Sequence, residues 1–297
     1  MRLSTVILPV HARAEAVARW RRAEDLGFAT AYTYDHLSWR TFRDGPWYDA
    51  LLTLAQAAAV TERMRLGTLV TTPNFRHPVT LAKDVMTLDD VSGGRVTLGL
   101  GAGTDGFDAA ALGLPALTPR QRADRFAELV DHLDRLLTTP DVTVDGEYFS
   151  AHEARTIPGC VQRPRVPFAV AATGPRGLKL AARYGQAWVT TGDPATFEDG
   201  TAAQSRAAIA RQMERLEAAC AAENRDPASI ERVLLTGFLP EDAFASVDAF
   251  EDFAHAHAAL GITEIVVHDP IPDTQFALDE TIYAGIAELA PTLAALD

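Results

Sequence analysis

The sequence predicts a closed (β/α)8 barrel, and three observations carry that prediction. Short β-rich runs alternate with longer helical patterns along all 297 residues. Most β-rich runs are unbroken Val/Leu/Ile/Thr stretches, the pattern of parallel strands buried on both faces. No shift in composition divides the chain, and about eight strand–helix repeats suit one barrel, a fold that routinely uses about 250 residues as a single domain. An open doubly wound sheet is the alternative, but no glycine-rich turn follows the first strand, where a dinucleotide fold would want one. Residues 1–297 are therefore read as one domain.

The elements follow in order. The first strand is Ser4–Leu8 and the helical pattern Arg13–Leu26 follows it, stopped by Gly27, a residue suited to a left-handed helix C-cap. The second pair is Ala29–Tyr34 with Tyr48–Thr61, the third Leu66–Val70 with Val79–Val91, and the fourth Arg95–Leu100 with Arg120–Leu137. The fifth is Pro167–Ala171 with Gly177–Tyr184, and the sixth Ala187–Thr191 with Ala202–Glu223. The seventh is Val233–Phe238 with Val247–Leu260, and the eighth Glu264–His268 with Phe276–Leu293. Gly185 and Gly261 repeat the stop signal of Gly27. Thr138–Val166 is too long for an ordinary loop. Its VTVDGEYFSAHEA reads as two short strands around Asp145-Gly146, with a proline-spaced tail, an insertion expected over the barrel mouth or against its edge.

Composition removes several functional classes. A net charge of −13 with interspersed signs argues against a nucleic-acid or anionic-membrane partner. The two cysteines, Cys160 and Cys220, lack Cys-x-x-Cys or histidine partners, so they read as reduced thiols rather than a disulfide or zinc site. MRLSTVILPV looks like a strand and lacks the layout of a signal peptide, and no apolar run approaches the roughly 18 residues of a membrane span. A cytoplasmic protein is expected. No metal-ligand cluster and no Ser-His-Asp order stand out.

In a parallel barrel the chemistry belongs at the C-terminal strand ends, and four such ends are polar. After the second strand come Asp35 and His36, with Tyr32, Tyr34 and Trp39 around them. A histidine there can move a proton, with the adjacent carboxylate orienting it, and the aromatic rings offer flat faces to a planar heterocycle. A strand-end Asp that caps the next loop, beside a backbone-bonded His, explains the same residues. After the third strand, Thr71, Thr72 and Asn74 can donate hydrogen bonds and Arg76 can meet an anion, although a helix cap before Pro78 explains part of the segment. After the fourth, Gly99, Gly101 and Gly103 permit close approach of a ligand, as they would permit a tight turn. After the fifth, Thr173-Gly174-Pro175-Arg176-Gly177 precedes a helix. Its N–H groups and dipole suit a phosphate, to which Arg176 adds charge, and Thr190-Thr191 can donate from the next strand. The seventh and eighth strand ends, FLPEDAF and HDPIPDT, are acidic and poor in glycine, unlike the phosphate loops of a phosphosugar barrel.

AEDLGFATAYTYDH, RLGTLVTTPNFRHPVTLAKDVMTLDDVSGGRVTLGLGAG, GEYFS with PGCVQRPRVPF, and AARYGQAWV together resemble the luciferase-like flavin-dependent oxidoreductases, the family of bacterial luciferase and of deazaflavin-dependent dehydrogenases and reductases. The resemblance runs from Arg2 to about Trp188 and is looser beyond. It implies a TIM barrel, usually homodimeric, that holds a flavin-type ring in its mouth above a bulge at the end of the third strand. The non-prolyl cis peptide of the relatives would fall near Leu69-Val70. Leu69, Val70 and Thr71 would form the floor under the ring, and Gly101, Gly103 and Thr104 its edge. The phosphate would rest on Thr173–Gly177 and Thr190-Thr191. His36, helped by Asp35, would face the ring as acid/base, with Trp39 beside it.

The Asp-His pair with Trp39 looks like the branch that uses coenzyme F420, a deazaflavin that exchanges hydride with a small organic substrate. Thr104 stands where the sugar-phosphate-oxidising members carry a glutamate, and Trp39 is one residue closer to His36 than in them, so sugar-phosphate oxidation is not expected. Asp105 and Asp108 lie nearby at a different spacing. The alternatives are an FMN-dependent monooxygenase fed by a separate reductase, and a catalytically silent flavin-binding barrel.

Overall fold

The computed structural model describes residues 1–104 and 106–296. In chain order the elements are β1 (Arg2–Val6), α1 (Arg13–Asp25), β2 (Thr30–Thr33), α2 (Ala50–Ala58), β3 (Arg65–Thr71), α3 (Pro78–Val91), β4 (Val96–Gly101), α4 (Phe107–Ala111), α5 (Pro119–Thr138), β5 (Asp141–Asp145) and β6 (Ser150–Arg155). There follow β7 (Phe168–Ala171), α6 (Pro175–Tyr184), β8 (Ala187–Thr190), α7 (Ala202–Ala222), β9 (Glu231–Leu235), α8 (Val247–Ala259), β10 (Glu264–His268), α9 (Glu280–Glu288) and α10 (Ala290–Leu293). Eight parallel strands close in the order β1-β10-β9-β8-β7-β4-β3-β2, as the apolar runs predict, and the open-sheet alternative falls. Among the described residues no helix is long and apolar enough to cross a membrane.

Burial explains the strands. The inner faces meet around Val6, Ala169, Val189, Val233 and Val266, while Leu66, Leu98, Phe168, Leu234 and Ile265 pack outward against the helices. Between Thr68 and Thr71 the β3–β4 register shifts, and the Leu69-Val70 peptide is cis, where the family resemblance locates it. Glycine is required opposite this bulge: a Cβ on Gly99 would lie 2.0 Å from the Thr68 carbonyl oxygen, and one on Gly101 2.6 Å from a Val70 methyl.

The insertion packs on the edge of the barrel and does not cover the mouth. β5 and β6 pair antiparallel and bury Val142, Val144, Phe149 and Ala151 against the helical layer. The Glu128 carboxylate on α5 accepts the N–H groups of Glu147, Tyr148 and Phe149 at 2.9, 2.9 and 2.5 Å. The tail then runs to the N-terminal end of the strands, where Gln162 bonds Asp89 and the Val96 carbonyl.

Two elements depart from the sequence pattern. The predicted helix Phe276–Leu293 begins only at Glu280, where the Asp279 side chain caps it by accepting from Thr281 and Ile282, and Phe276 is left in the loop before it. The short helix α4 has no counterpart in the periodicity, since five residues are too few for an amphipathic pattern to show.

Candidate functional site

A cavity of about 780 Å3 opens at the C-terminal ends of β2, β3, β4, β7, β8 and β9. Its floor is Leu69 and Val70 on the bulge of β3, facing Gly101 at the end of β4. On one flank Gly103, at φ +70°, lies so close to Asn74 that a Cβ would meet the amide nitrogen at 2.6 Å. Asn74 donates to the Thr104 carbonyl at 3.1 Å and accepts from Arg125, which locks the two strand ends into one wall.

At one end of the cavity α6 begins. No side chain caps it, Pro175 occupies its first turn, and the first intrahelical bond is donated by Leu178 to the Gly174 carbonyl at 3.0 Å. The N–H groups of Arg176 and Gly177 precede that bond, so the terminus has the donors and the dipole that suit an anion. Thr173 and Thr191 line the same end. Thr190 lines it too, but its hydroxyl donates to Gln212 at 2.6 Å and accepts from the Gly192 N–H at 3.0 Å, bracing the loop.

The other end is aromatic. Trp39 is nearly buried, and its ring stacks on Phe42, Phe276 and Trp47 with interplanar angles of 30°, 22° and 24°. Tyr34 sits edge-on to Trp39 at 5.2 Å, and its hydroxyl lies 2.8 Å from His268 Nε2 in a hydrogen bond. Burial pushes the Tyr34 hydroxyl up from its ordinary pKa, and pushes the His268 imidazole down to about 3.

His36 lines this end with its side chain 24% exposed. Its Nδ1 lies 2.7 Å from the Asp108 carboxylate, and the other oxygen of that carboxylate accepts the Leu37 N–H, also at 2.7 Å. Trp47 donates to the His36 carbonyl at 2.8 Å.

The expected roles of Asp35, Thr71, Arg76 and Arg176 are corrected. Asp35 does not orient His36: it is fully buried behind the cavity wall, held in a two-point contact by Arg76 at 2.6 and 3.1 Å and by the Thr71 hydroxyl at 2.8 Å. Burial raises its pKa against the opposing pull of Arg76. Consecutive residues leaving a strand point to opposite sides, so Asp35 turns away where Tyr34 and His36 face the cavity. Thr71 is buried with its hydroxyl on Asp35 and Thr68, so it braces the floor without lining it. Arg76, which could have met an anion, pairs with Asp35 and Asp49.

Arg176 lines the cavity, but its guanidinium is bonded to Asp124 and to the Arg120 carbonyl rather than extended over the helix terminus. Asp105 lies outside the described residues. The structure also brings in Asp108, set aside in the sequence for its spacing, and aromatic and basic groups that carried no expectation. Asp108 arrives on α4, Phe197 and Phe238 stack at 5.9 Å on the far wall, and Arg40 lies over the Trp39 and Phe238 rings at 5.2 and 5.8 Å. Phe238 closes the β-rich run Val233–Phe238, and the acidic residues that follow it masked its place at the mouth.

The cavity thus offers a flat apolar slot, a close glycine edge and an anion-binding helix terminus in one continuous space. These features fit a phosphorylated flavin-type group, with Leu69, Val70 and Gly101 at the ring and the start of α6 at the phosphate. Among the described residues no group of three or more His, Cys, Asp or Glu side chains is placed to hold a metal ion.

Similarity to known proteins agrees with that geometry. The family model described as luciferase-like monooxygenase matches residues 1–259. The chain is 41% identical over 173 residues to an F420-dependent glucose-6-phosphate dehydrogenase of Beutenbergia cavernae, covering 57% of this chain and 50% of that protein. It is 34% identical over 215 residues to the 4-hydroxyprotoasukamycin monooxygenase of Streptomyces nodosus subsp. asukaensis, covering 68% and 56%. The chain spans about half the length of the curated relatives it matches. An F420-dependent secondary alcohol dehydrogenase solved with an F420-acetone adduct superposes with a TM-score of 0.77 at 19% identity, covering 99% of both chains, which shows a shared fold. With the bulged third strand, the glycine edge and a family match over most of its length, the chain belongs to the luciferase-like monooxygenase family.

Proposed function

We propose that this protein is an oxidoreductase that transfers hydride between coenzyme F420 and a small organic substrate. The observation that carries the reading is the placement of a cavity-facing histidine, His36, in the same slot as an uncapped helix terminus and an apolar ring floor. Relatives named as F420-dependent dehydrogenases support the choice of cofactor. When bound, the deazaflavin supplies a two-electron hydride donor or acceptor. The protein's own residues do the rest. Leu69, Val70 and Gly101 flank the ring, and the Arg176 and Gly177 N–H groups hold the phosphate. His36 takes or returns the substrate proton, and the Trp39 cluster keeps water from that end.

A second reading has one specific support, the similarity to a monooxygenase: an FMN-dependent enzyme supplied with reduced FMN by a separate reductase. Titration of the purified protein with oxidised F420 and with FMN, followed by fluorescence, separates the two. Binding of F420 without FMN is expected. FMN binding alone would transfer the assignment to the monooxygenase reading, and binding of neither would remove both readings. His36→Ala should lower kcat by about 10² to 10⁴-fold while leaving the F420 Kd nearly unchanged; an unaltered kcat removes His36 from the reaction.

We also place the protein in the cytoplasm as a homodimer. Buried free thiols at Cys160 and Cys220 support the compartment, and the exposed Tyr48 and Leu52 at the start of α2 support a contact surface. Sedimentation at micromolar concentration should give twice the 32.0 kDa chain mass.

A further inference from the structure

His36 needs a partner that fixes which ring nitrogen carries the hydrogen. The sequence offers Asp35 for that purpose, and the structure removes it. The carboxylate that reaches His36 comes from 72 residues away, on α4, a helix of five residues between β4 and α5. We propose that Asp108 is the positioning residue of the proton-transfer site: it holds the His36 imidazole as the Nδ1–H tautomer and leaves Nε2 as the nitrogen that exchanges a proton with substrate. The proposal rests on the hydride-transfer reading above and names the residue through which His36 acts.

The argument is geometric. Asp108 is 1% exposed, and each of its carboxylate oxygens accepts one bond, Oδ1 from the Leu37 N–H and Oδ2 from His36 Nδ1, both at 2.7 Å. A carboxylate accepting at both oxygens requires a hydrogen on Nδ1, which leaves the lone pair of the neutral ring on Nε2. Asp108 borders the cavity but is almost fully buried, so its part in the reaction runs through His36.

The surrounding contacts hold the pair in register. The His36 carbonyl is fixed by Trp47 at 2.8 Å, and the Arg43 guanidinium lies 4.3 Å from the Phe107 ring, joining the loop after β2 to α4 at a second point. No other described carboxylate is bonded to His36. The chain therefore orients its histidine with a carboxylate displaced four residues from Thr104, the position where sugar-phosphate-oxidising relatives are expected to carry a glutamate.

The proton balance follows. When an alcohol is oxidised, its hydroxyl proton passes to Nε2, and the C–H hydrogen leaves with two electrons as hydride to the cofactor of the proposed function. The products are a carbonyl compound and an imidazolium bonded through Nδ1–H to Asp108. Reduction returns the proton from Nε2 and the hydride from the cofactor.

The test is long-range 1H–15N correlation NMR of the cofactor-free protein at a pH where the imidazole is neutral, with His36 assigned by loss of its signals in His36→Gln. The wild type should show a hydrogen-bearing Nδ1 and a bare Nε2. In Asp108→Asn the amide can donate to Nδ1, and the tautomer should shift towards Nε2–H, while Asp108→Glu should restore the Nδ1–H form at least in part. Both variants should bind F420 within about threefold of the wild type, a difference below 1 kcal/mol at 1.4 kcal/mol per tenfold. An unchanged Nδ1–H signature in Asp108→Asn overturns the proposal. If that variant does not fold, the wild-type spectrum decides, since an Nε2–H form there overturns it equally. Failure of the wild type to bind F420 defeats the hydride-transfer reading and leaves the tautomer assignment standing, so the two failures are distinguishable.

Discussion

At the scale of single residues, the site separates groups that are near in sequence from groups that are near in space. Asp35 is adjacent to His36, but strand alternation turns it into a buried ion pair with Arg76, and Asp108 takes the place expected of it. No local pattern announces that exchange, because it depends on where α4 lands after an irregular loop. Positions defined by backbone were more legible: Leu69, Val70, Gly101 and Gly103 line the cavity, since a glycine that tolerates no Cβ leaves its mark in any single sequence. Arg176 and Gly177 give the contrast a measurement. Arg176 spends its charge on Asp124, so Arg176→Ala should weaken F420 binding by less than about threefold, under 1 kcal/mol. Gly177→Val should weaken it by tenfold or more, because even its Cβ would lie 2.7 Å from that of Ala172 and would displace the helix terminus. Isothermal titration of both variants checks the order, and a larger loss in Arg176→Ala would return the phosphate contact to the side chain.

At the scale of elements, the alternation of β-rich and helical runs predicted all eight barrel strands, because two-sided burial leaves a run of Val, Leu and Ile that little else produces. Boundaries drifted where side-chain caps set them. Asp49 starts α2 at Ala50 and Asp279 starts α9 at Glu280, each by accepting a backbone N–H that the hydrophobic pattern does not report. The β5–β6 hairpin was legible as two strands around Asp145-Gly146, but its location was not, because the residue that seats it lies on α5. The carboxylate of Glu128 satisfies three consecutive N–H groups of the turn and lies within 2.2 Å of the point where a Gly146 Cβ would be. Hydrogen bonds to a charged acceptor contribute about 1.5–3 kcal/mol each before water compensates a partly exposed turn. Glu128→Ala should therefore lower the unfolding free energy by about 2 kcal/mol. Since the insertion does not line the cavity, the F420 Kd should stay unchanged. Urea denaturation and cofactor titration on one preparation test both halves, and a changed Kd would give the insertion a part in the site.

At the scale of the whole molecule, the barrel closes between β1 and β10, and the mouth of that seam is held by groups kept neutral through burial. His268 on β10 reaches past β1 to Tyr34 beyond the end of β2, stacks on Phe276 at 3.9 Å, and has its pKa pushed down to about 3. Tyr34, Phe238 and Phe276 face it, none of them cationic or anionic. Because the unfolded chain protonates this imidazole near 6.5 and the folded chain does not, stability falls as pH drops through the window from about 6.5 to 3. The neighbouring Asp269 acts in the opposite sense. Burial pushes its carboxyl up to about 6 despite the Arg19 partner, so the folded state binds that proton first, and stability rises as pH drops from 6 towards 3.8. The two windows overlap, and the wild type should lose little stability between pH 7 and 5. His268→Gln keeps a hydrogen-bonding partner for Tyr34 and removes the titration. Relative to the wild type it should become more stable on acidification over that interval by about 2 kcal/mol, the worth of one and a half pKa units. Urea midpoints of both proteins at pH 7 and pH 5 give the difference directly. Parallel shifts in the two proteins would mean that His268 takes up its proton without opening the seam, and that barrel closure does not depend on a neutral ring.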